Sequence, residues 1–248
     1  MSVMSTKNIL LLITLGLALA MSVAPSYAAN IIIDDFTMTA DHSADVTGVG
    51  TDTDTQGGIP TANTIGGERT LFLDVTAAPM GAASKLRIST SAGTANLDLP
   101  GGANGTGSIT WAGTGGVGLG GVTLLPGGGT PENTSFEAAI IFSDLNLGFK
   151  LEVTDQSAKT ATLDISLGNA PPDIALKTFL SDFAGADLVD FTDIDKIVLT
   201  LSGPAAQDAI IGTLQVVSTV PEPSTFVLGV LGLLGLTLVV RRRRPRQR

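Results

Sequence analysis

Short runs in which apolar and polar residues alternate recur from Arg69 to Val217, and glycine-rich turns separate them. Alternation with a period of two is typical of β-strands that bury one face. Helical periodicity is almost absent over the same region, where a single turn is predicted at Asp182–Leu188. The pattern therefore predicts an all-β domain. The predicted strands cover residues 30–36, 69–76, 85–90, 95–99, 107–111, 121–125, 135–142, 147–154, 160–167, 174–179, 194–201 and 210–217.

About a dozen short strands with no repeat of fixed period favour an antiparallel two-sheet sandwich. A jelly roll is the first expectation and an immunoglobulin-like sandwich the second, whereas a β-solenoid is disfavoured because no register repeats. Residues 37–67, which contain few large apolar side chains, are predicted to form a long connection or a weakly ordered excursion. The glycine-rich residues 100–129 are predicted to be mainly turns and linkers, with adaptable binding loops as the alternative. Leu145–Gly148 is predicted to turn a hairpin.

The first 28 residues have the composition of a secretory signal peptide. Lys7 makes the start positive, residues 9–23 are mostly apolar, and Ser26 and Ala28 place small residues at the −3 and −1 positions. This pattern predicts export, with cleavage between Ala28 and Ala29. An uncleaved membrane anchor is the alternative.

Charge is distributed unevenly along the chain. Residues 29–219 contain 22 acidic and 7 basic side chains, which leaves a formal net charge of −15. An acidic domain of this kind repels nucleic acid, so no nucleic-acid partner is expected. The chain contains no cysteine, which excludes disulfide bonds, a cysteine nucleophile and a thiolate metal site.

Residues 220–248 combine three features in order. Pro221-Glu222-Pro223 is an extended tripeptide, because proline fixes its own φ angle and disfavours helix in the residue before it. Phe226–Val240 is an uncharged run of 15 residues. A helix of that length spans about 22 Å, so a short transmembrane helix is predicted for a hydrocarbon core of roughly 30 Å. The positive flank that should stay in the cytoplasm is formed by Arg241, Arg242, Arg243 and Arg244.

This order of features resembles the PEP-CTERM sorting signal of certain Gram-negative bacteria. In that family a membrane protease-transpeptidase called exosortase recognises the signal and processes the protein near the Pro-Glu-Pro motif. The resemblance implies that Val220, Pro221, Glu222 and Pro223 form the sorting and processing motif. It also implies an exosortase-type transpeptidase and the inner membrane as partners of the precursor. The product would then lie at the cell surface or in a matrix of exopolysaccharide. An ordinary membrane anchor is the alternative.

The expected organisation is a signal peptide at 1–28, a β-sandwich ectodomain at 29–219 and a sorting signal at 220–248. The ectodomain is similar to other PEP-CTERM ectodomains in the phrases IDDF, GGERTL and FLSDF followed by DFTDIDKIVLTLSG. Those domains are similar in turn to jelly-roll modules of the carbohydrate-binding type. Sugar recognition commonly uses exposed aromatic rings, and Trp111 is the weak ligand candidate, since Tyr27 lies in the signal peptide.

Catalytic chemistry has little support in the sequence. His42 is the only histidine, and no serine lies in the strained turn that a Ser-His-Asp arrangement requires. Carboxylates do occur close together, but nothing indicates a facing pair of the glycosidase type. Calcium takes six to eight oxygen ligands, which makes a structural calcium ion the better use of these groups. The weak calcium candidates are Asp190, Asp193 and Asp195, but a solvated acidic surface is the default expectation for these residues.

The sequence therefore predicts an exported, non-catalytic surface or extracellular-matrix protein that is sorted through residues 220–248. No cofactor is expected beyond a structural calcium ion. The alternatives are a carbohydrate-binding module of jelly-roll type, a secreted polysaccharide hydrolase and a passive scaffold.

Overall fold

The computed structural model of the protein describes residues 29–37, 41–89, 93–168, 173–203 and 207–219. Within them, Asn30–Ser218 forms one compact unit. Four predicted features lie outside the described residues: the signal peptide up to Ala28, the Pro-Glu-Pro motif, the transmembrane helix and the arginine tail. In the part of the chain that is described, no helix is long and apolar enough to cross a membrane.

The described residues form thirteen β-strands and four short 3₁₀ turns. The strands are β1 (Ala29–Asp34), β2 (His42–Thr47), β3 (Gly50–Gln56), β4 (Arg69–Ala77), β5 (Ala83–Ser89), β6 (Thr94–Asp98), β7 (Asn104–Trp111), β8 (Thr134–Ser143), β9 (Leu147–Asp155), β10 (Thr160–Leu167), β11 (Ile174–Phe179), β12 (Ile194–Gly203) and β13 (Asp208–Ser218). The turns are η1 (Ile65–Gly67), η2 (Thr114–Gly116), η3 (Pro126–Gly128) and η4 (Leu180–Asp182).

The strands form two antiparallel sheets. The seven-stranded sheet has the order β11-β8-β13-β6-β5-β2, with β1 also paired to β13, and the six-stranded sheet has the order β10-β9-β12-β7-β4-β3. Strands β6 to β13 alone give β6-β13-β8-β11 in one sheet and β7-β12-β9-β10 in the other. That is the eight-stranded jelly-roll order, so the first expectation for the fold is confirmed.

The core lies between the two sheets and is filled by the inward-facing residues of both. In β9, for example, Leu147, Phe149, Leu151 and Val153 are buried while the residues between them are not. The ring of Phe136 from the opposite sheet packs against Phe149, with centroids 6.1 Å apart. Because of this alternation, each sheet has one face in the core and one face exposed to solvent.

Eleven of the twelve predicted strands are confirmed, with each end at most three residues from its predicted position. The strand predicted at 121–125 is wrong, because that segment makes only an isolated bridge between Val122 and Ile194. The long connection predicted at 37–67 is also wrong, since it contains β2 and β3. Leu145–Gly148 does not turn a hairpin but carries the chain from one sheet to the other. At Asp182–Leu188 the chain turns without forming a regular helix, directly after η4.

Candidate functional site

The residues predicted for sorting fall outside the described part of the chain. This applies to Val220, Pro221, Glu222 and Pro223, and to the arginines from Arg241 to Arg244. Ala28 lies outside it as well, while Ala29 is the first residue of β1. The geometry of processing therefore stays a prediction, and the described site chemistry belongs to the β-sandwich.

Trp111, the candidate sugar platform, lies in the core. Its side chain is 0% exposed, so neither ring face is available for stacking on a ligand. Its indole Nε1–H donates a hydrogen bond of 2.9 Å to Oδ2 of Asp34. The expectation for Trp111 is thus wrong, because the alternation along β7 turns this residue inward.

Asp34 is the centre of a buried polar cluster that links the two sheets. Its Oδ1 accepts hydrogen bonds from Arg69 Nη1 at 2.5 Å, from Thr64 Oγ1 at 3.0 Å and from the Phe36 amide at 2.8 Å. Asp34 belongs to the seven-stranded sheet through β1, whereas Arg69 and Trp111 belong to the six-stranded sheet. We call Asp34, Gln56, Thr64, Arg69 and Trp111 the Asp34 cluster.

Arg69 balances the buried negative charge. It is 0% exposed, and its Nε donates to Gln56 Oε1 at 3.1 Å while its guanidinium lies 5.6 Å from the ring centroid of Phe36. Burial raises the pKa of the Asp34 carboxyl, and the charge of Arg69 counteracts that rise together with hydrogen bonds from Arg69, Trp111 and Phe36. Phe36 itself has φ of 55°, which is strained for a bulky residue. Its backbone amide donates one of the hydrogen bonds that Asp34 accepts.

The Asp34 cluster serves the fold rather than a reaction. Each of its five side chains is at most 4% exposed, so no substrate can reach the carboxylate. The sequence contained one signal for it: Arg69 occupies an inward position of the alternating run in β4, where a charge requires a buried partner. Nothing in the sequence identified Asp34, 35 residues earlier in the chain, as that partner.

The calcium candidates have separate roles in the fold. Asp190 Oδ1 accepts hydrogen bonds from the amide and hydroxyl of Thr192, at 2.9 and 2.6 Å. The carboxylates of Asp193 and Asp195 pack against the backbone of Gly121 and Gly118 in the glycine-rich loop. Across the described residues, no group of three or more histidine, cysteine or acidic side chains is placed to hold a metal ion. Calcium binding at Asp190, Asp193 and Asp195 stays a prediction, which thermal unfolding with and without a calcium chelator would check.

His42 is not isolated on the surface. Its Nδ1 lies 2.7 Å from Oδ2 of Asp54, and both side chains are 30% exposed. His42 lies in β2 and Asp54 in β3, which are edge strands of different sheets. The contact therefore closes one side of the sandwich.

The outer face of the six-stranded sheet is lined mainly by hydroxyl groups. Cross-strand pairing aligns 18 outward positions in three rows, eleven of which are serine or threonine, and none is buried. The central row also presents Phe72, which is 38% exposed. We call these 18 residues the hydroxyl face. Its rows are Thr55–Thr70–Thr110–Val198–Glu152–Thr162, Thr53–Phe72–Ser108–Thr200–Lys150–Asp164 and Thr51–Asp74–Thr106–Ser202–Gly148–Ser166.

A cavity of about 170 Å³ lies at the border of the hydroxyl face, where β4 begins and β7 ends. Two of its lining residues, Thr70 and Thr110, are cross-strand partners in the first row of that face. The glycines come from the turn η2 and the residue before it. We call it the strand-end cavity. It is lined by Glu68, Arg69, Thr70, Thr110, Ala112, Gly113 and Gly116.

Comparison with solved structures finds matches at low similarity. The Family 11 carbohydrate-binding module of the cellulase Lic26A-Cel5E of Clostridium thermocellum is 10% identical, with a TM-score of 0.38, over 78% of this chain and 96% of that one. A family 29 carbohydrate-binding module is 9% identical, with a TM-score of 0.32, over 72% and 90%. The enzymatically active domain of bacteriophage CBA120 tailspike protein 4 is 10% identical, with a TM-score of 0.32, over 75% and 21%. Likenesses at this level carry no argument about function.

Comparison with curated proteins finds no match. One family model does match: the PEP-CTERM protein-sorting motif, over residues 219–244. The match covers the Pro-Glu-Pro tripeptide, the apolar run and the first four arginines, as the sequence predicted. This chain therefore carries a PEP-CTERM protein-sorting motif at residues 219–244, which follow the jelly-roll β-sandwich in the sequence.

Proposed function

We propose that the protein is exported and non-catalytic, and that exosortase-type processing delivers its β-sandwich to the cell surface or the extracellular matrix. The observation that carries this proposal is the sorting motif at 219–244. The precursor is held in the inner membrane by Phe226–Val240 until the chain is processed near Pro221-Glu222-Pro223. The signal peptide, cleaved between Ala28 and Ala29, starts the export.

The β-sandwich is suited to a role outside the cell. It is held together by packing between two sheets and by the Asp34 cluster, and it needs no disulfide bond because the chain has no cysteine. Its net charge of −15 keeps copies apart and soluble. In the proposed function the domain associates with exopolysaccharide in a biofilm or floc.

Mass spectrometry of the mature protein tests the processing step. The protein is recovered from a host that contains exosortase and from the same host without it. We expect a C-terminus near residue 221 in the first host and at Arg248 in the second. Replacing Pro221 and Pro223 by alanine should also leave Arg248 in place, whereas alanine at Pro171 and Pro172, outside the motif, should not. A chain that ends at Arg248 in both hosts would refute the proposal.

Carbohydrate binding is the second candidate function, and the hydroxyl face is the observation that favours it. Serine and threonine hydroxyls both donate and accept hydrogen bonds, as sugar hydroxyls do. Phe72 adds an exposed apolar ring in the central row. Affinity electrophoresis in gels containing purified exopolysaccharide would test this function, and mobility unchanged by the polymer would count against it.

A further inference from the structure

The lining of the strand-end cavity is more apolar than polar, and its polar groups come from two different sources. Thr70 and Thr110 contribute hydroxyl groups from paired strands, and Glu68 contributes a carboxylate just before β4. Gly113 and Gly116 bring the turn η2 into the lining, and Glu68 contacts this turn by accepting a hydrogen bond of 2.9 Å from the amide of Gly115. Strand residues and a glycine-rich turn thus both line the cavity.

Arg69 carries a buried donor that is not satisfied by the protein. It lines the cavity and is 0% exposed, yet its Nη2 has no hydrogen-bond acceptor among the described residues. An unsatisfied buried donor costs stability unless an oxygen atom reaches it. Because Nη2 is buried on the core side of β4, it does not face the cavity. The groups there that a hydroxyl-bearing ligand could use are the hydroxyls of Thr70 and Thr110 and the carboxylate of Glu68.

The volume of the cavity limits what it can hold. At about 170 Å³ it is smaller than the roughly 300–1,000 Å³ of sites for drug-sized ligands. One small polar ring is the appropriate size class. The carboxylate of Glu68 and the charge of the whole domain disfavour an anionic ligand.

We propose that the strand-end cavity binds one uncharged pyranose unit at the end of a polysaccharide chain. The inference rests on the proposed association with exopolysaccharide and specifies where it occurs. The turn η2 bounds the cavity on one side, so the chain would end there. Since Thr70 and Thr110 belong to both the cavity and the hydroxyl face, the following sugar units would continue over that face.

Amide NMR of the nitrogen-15-labelled full chain in detergent micelles provides the test. The probes are D-glucose, D-galactose, D-mannose and D-glucuronate, added separately. We expect at least one of the three neutral hexoses to shift the amide signals of Gly113, Gly115 and Gly116 saturably. Glucuronate should bind more weakly than the best hexose.

Paired variants locate the binding site. Replacing Thr70 and Thr110 by valine keeps side-chain shape and β propensity but removes two hydroxyls, and should raise the Kd about tenfold or more. The matched control replaces Thr106 and Thr200 by valine. Both residues lie on the same face but do not line the cavity, so this variant should change the Kd less than about twofold. If the first pair fails to fold, Glu68→Gln replaces it, since glutamine can still accept from Gly115, and a several-fold weaker affinity is expected.

Three results would overturn the proposal: no saturable shift with any hexose, equal losses in the two valine pairs, or tighter binding of glucuronate than of every hexose. None of these depends on processing, because the full chain is used. Conversely, a failure of the proposed sorting is detected by the mass of the C-terminus and leaves the NMR titration unaffected.

Discussion

At the scale of single residues, Arg69 is the side chain whose environment differs most from what its chemistry normally allows. A guanidinium in the core of a sandwich is tolerated here because Asp34 lies 2.5 Å away and Gln56 accepts a further hydrogen bond. Removing one partner of such a pair leaves an uncompensated buried charge, which costs more than the pair itself contributes.

Arg69→Met should therefore lower the free energy of unfolding by about 3–5 kcal/mol. Urea titration followed by circular dichroism measures this loss. Lys85→Met is the control, because Lys85 forms an exposed pair with Asp45 at 3.5 Å and should cost no more than about 1 kcal/mol. Equal losses in the two variants would show that the buried pair is not what stabilises this end of the sandwich.

Asp208 predicts a dependence of stability on pH. Burial, followed by the charges of Asp98 and Asp144, raises the pKa of its carboxyl. The folded protein therefore holds this proton to higher pH than the unfolded chain does, and stability falls as pH rises through the raised pKa. Asp208→Asn should raise the Tm near pH 7 and change it little below about pH 3, where both states are protonated.

Thermal unfolding of the Asp208→Asn variant over a series of pH values checks this expectation. Asp187→Asn is the control, since it removes the same charge from an exposed turn outside the sheet that contains Asp208. If Asp208→Asn raises the Tm by the same amount at low pH as at pH 7, the charge of the carboxyl is not the cause of that rise.

At the scale of elements, the glycine-rich loop between β7 and β8 is ordered by its contacts with the segment around the start of β12. Leu119 and Val122 donate backbone hydrogen bonds to the carbonyls of Asp195 and Ile194, at 2.7 and 3.0 Å. Gly113 has φ of +65°, and a Cβ atom there would collide with the backbone carbonyl oxygen of Gly118. Glycine is required at this position for conformation and for space.

Gly113→Ala should lower the free energy of unfolding by about 2–5 kcal/mol, since backbone strain of about 1–2 kcal/mol adds to overpacking of about 1–3 kcal/mol. Gly120→Ala is the matched control: it has φ of +73° but nothing within 4 Å of an added Cβ atom. The Gly120→Ala variant should therefore lose only the free energy of unfolding that backbone strain accounts for, about 1–2 kcal/mol. Denaturant unfolding of both variants measures the difference, and equal losses would contradict the steric part.

The elements also show where reasoning from sequence is limited. β4 and β9 could be predicted because large, apolar, buried residues alternate along them, three of nine in β4 and four of nine in β9. β3, with the sequence GTDTDTQ, has no apolar residue and was missed. It forms a strand because it lies at a sheet edge, pairs with β4 and needs no buried aliphatic side chain. Segment 121–125 is the opposite case: its apolar residues predicted a strand, but it makes only an isolated bridge because no neighbouring strand among the described residues pairs with it.

At the scale of the whole molecule, the acidic surface should make stability depend on salt. A domain with a net charge of −15 repels itself in the folded state more than in the expanded unfolded chain. Added sodium chloride screens charges over roughly 10 Å at 0.1 M and should raise the Tm. Thermal unfolding at increasing salt checks this, and a Tm that falls with salt would indicate that attractive ion pairs dominate instead.

The sequence by itself determined the sorting motif at 219–244 and the class of the fold, because both depend on local order: a tripeptide followed by an apolar run and arginines, and a period of two. Only the tertiary structure decided that Trp111 is part of the core, that Arg69 has Asp34 as its partner and that Thr70 and Thr110 line a cavity. These facts depend on which strands become neighbours. Strand pairing joins residues far apart in the chain, and the local pattern of either strand does not specify its partner.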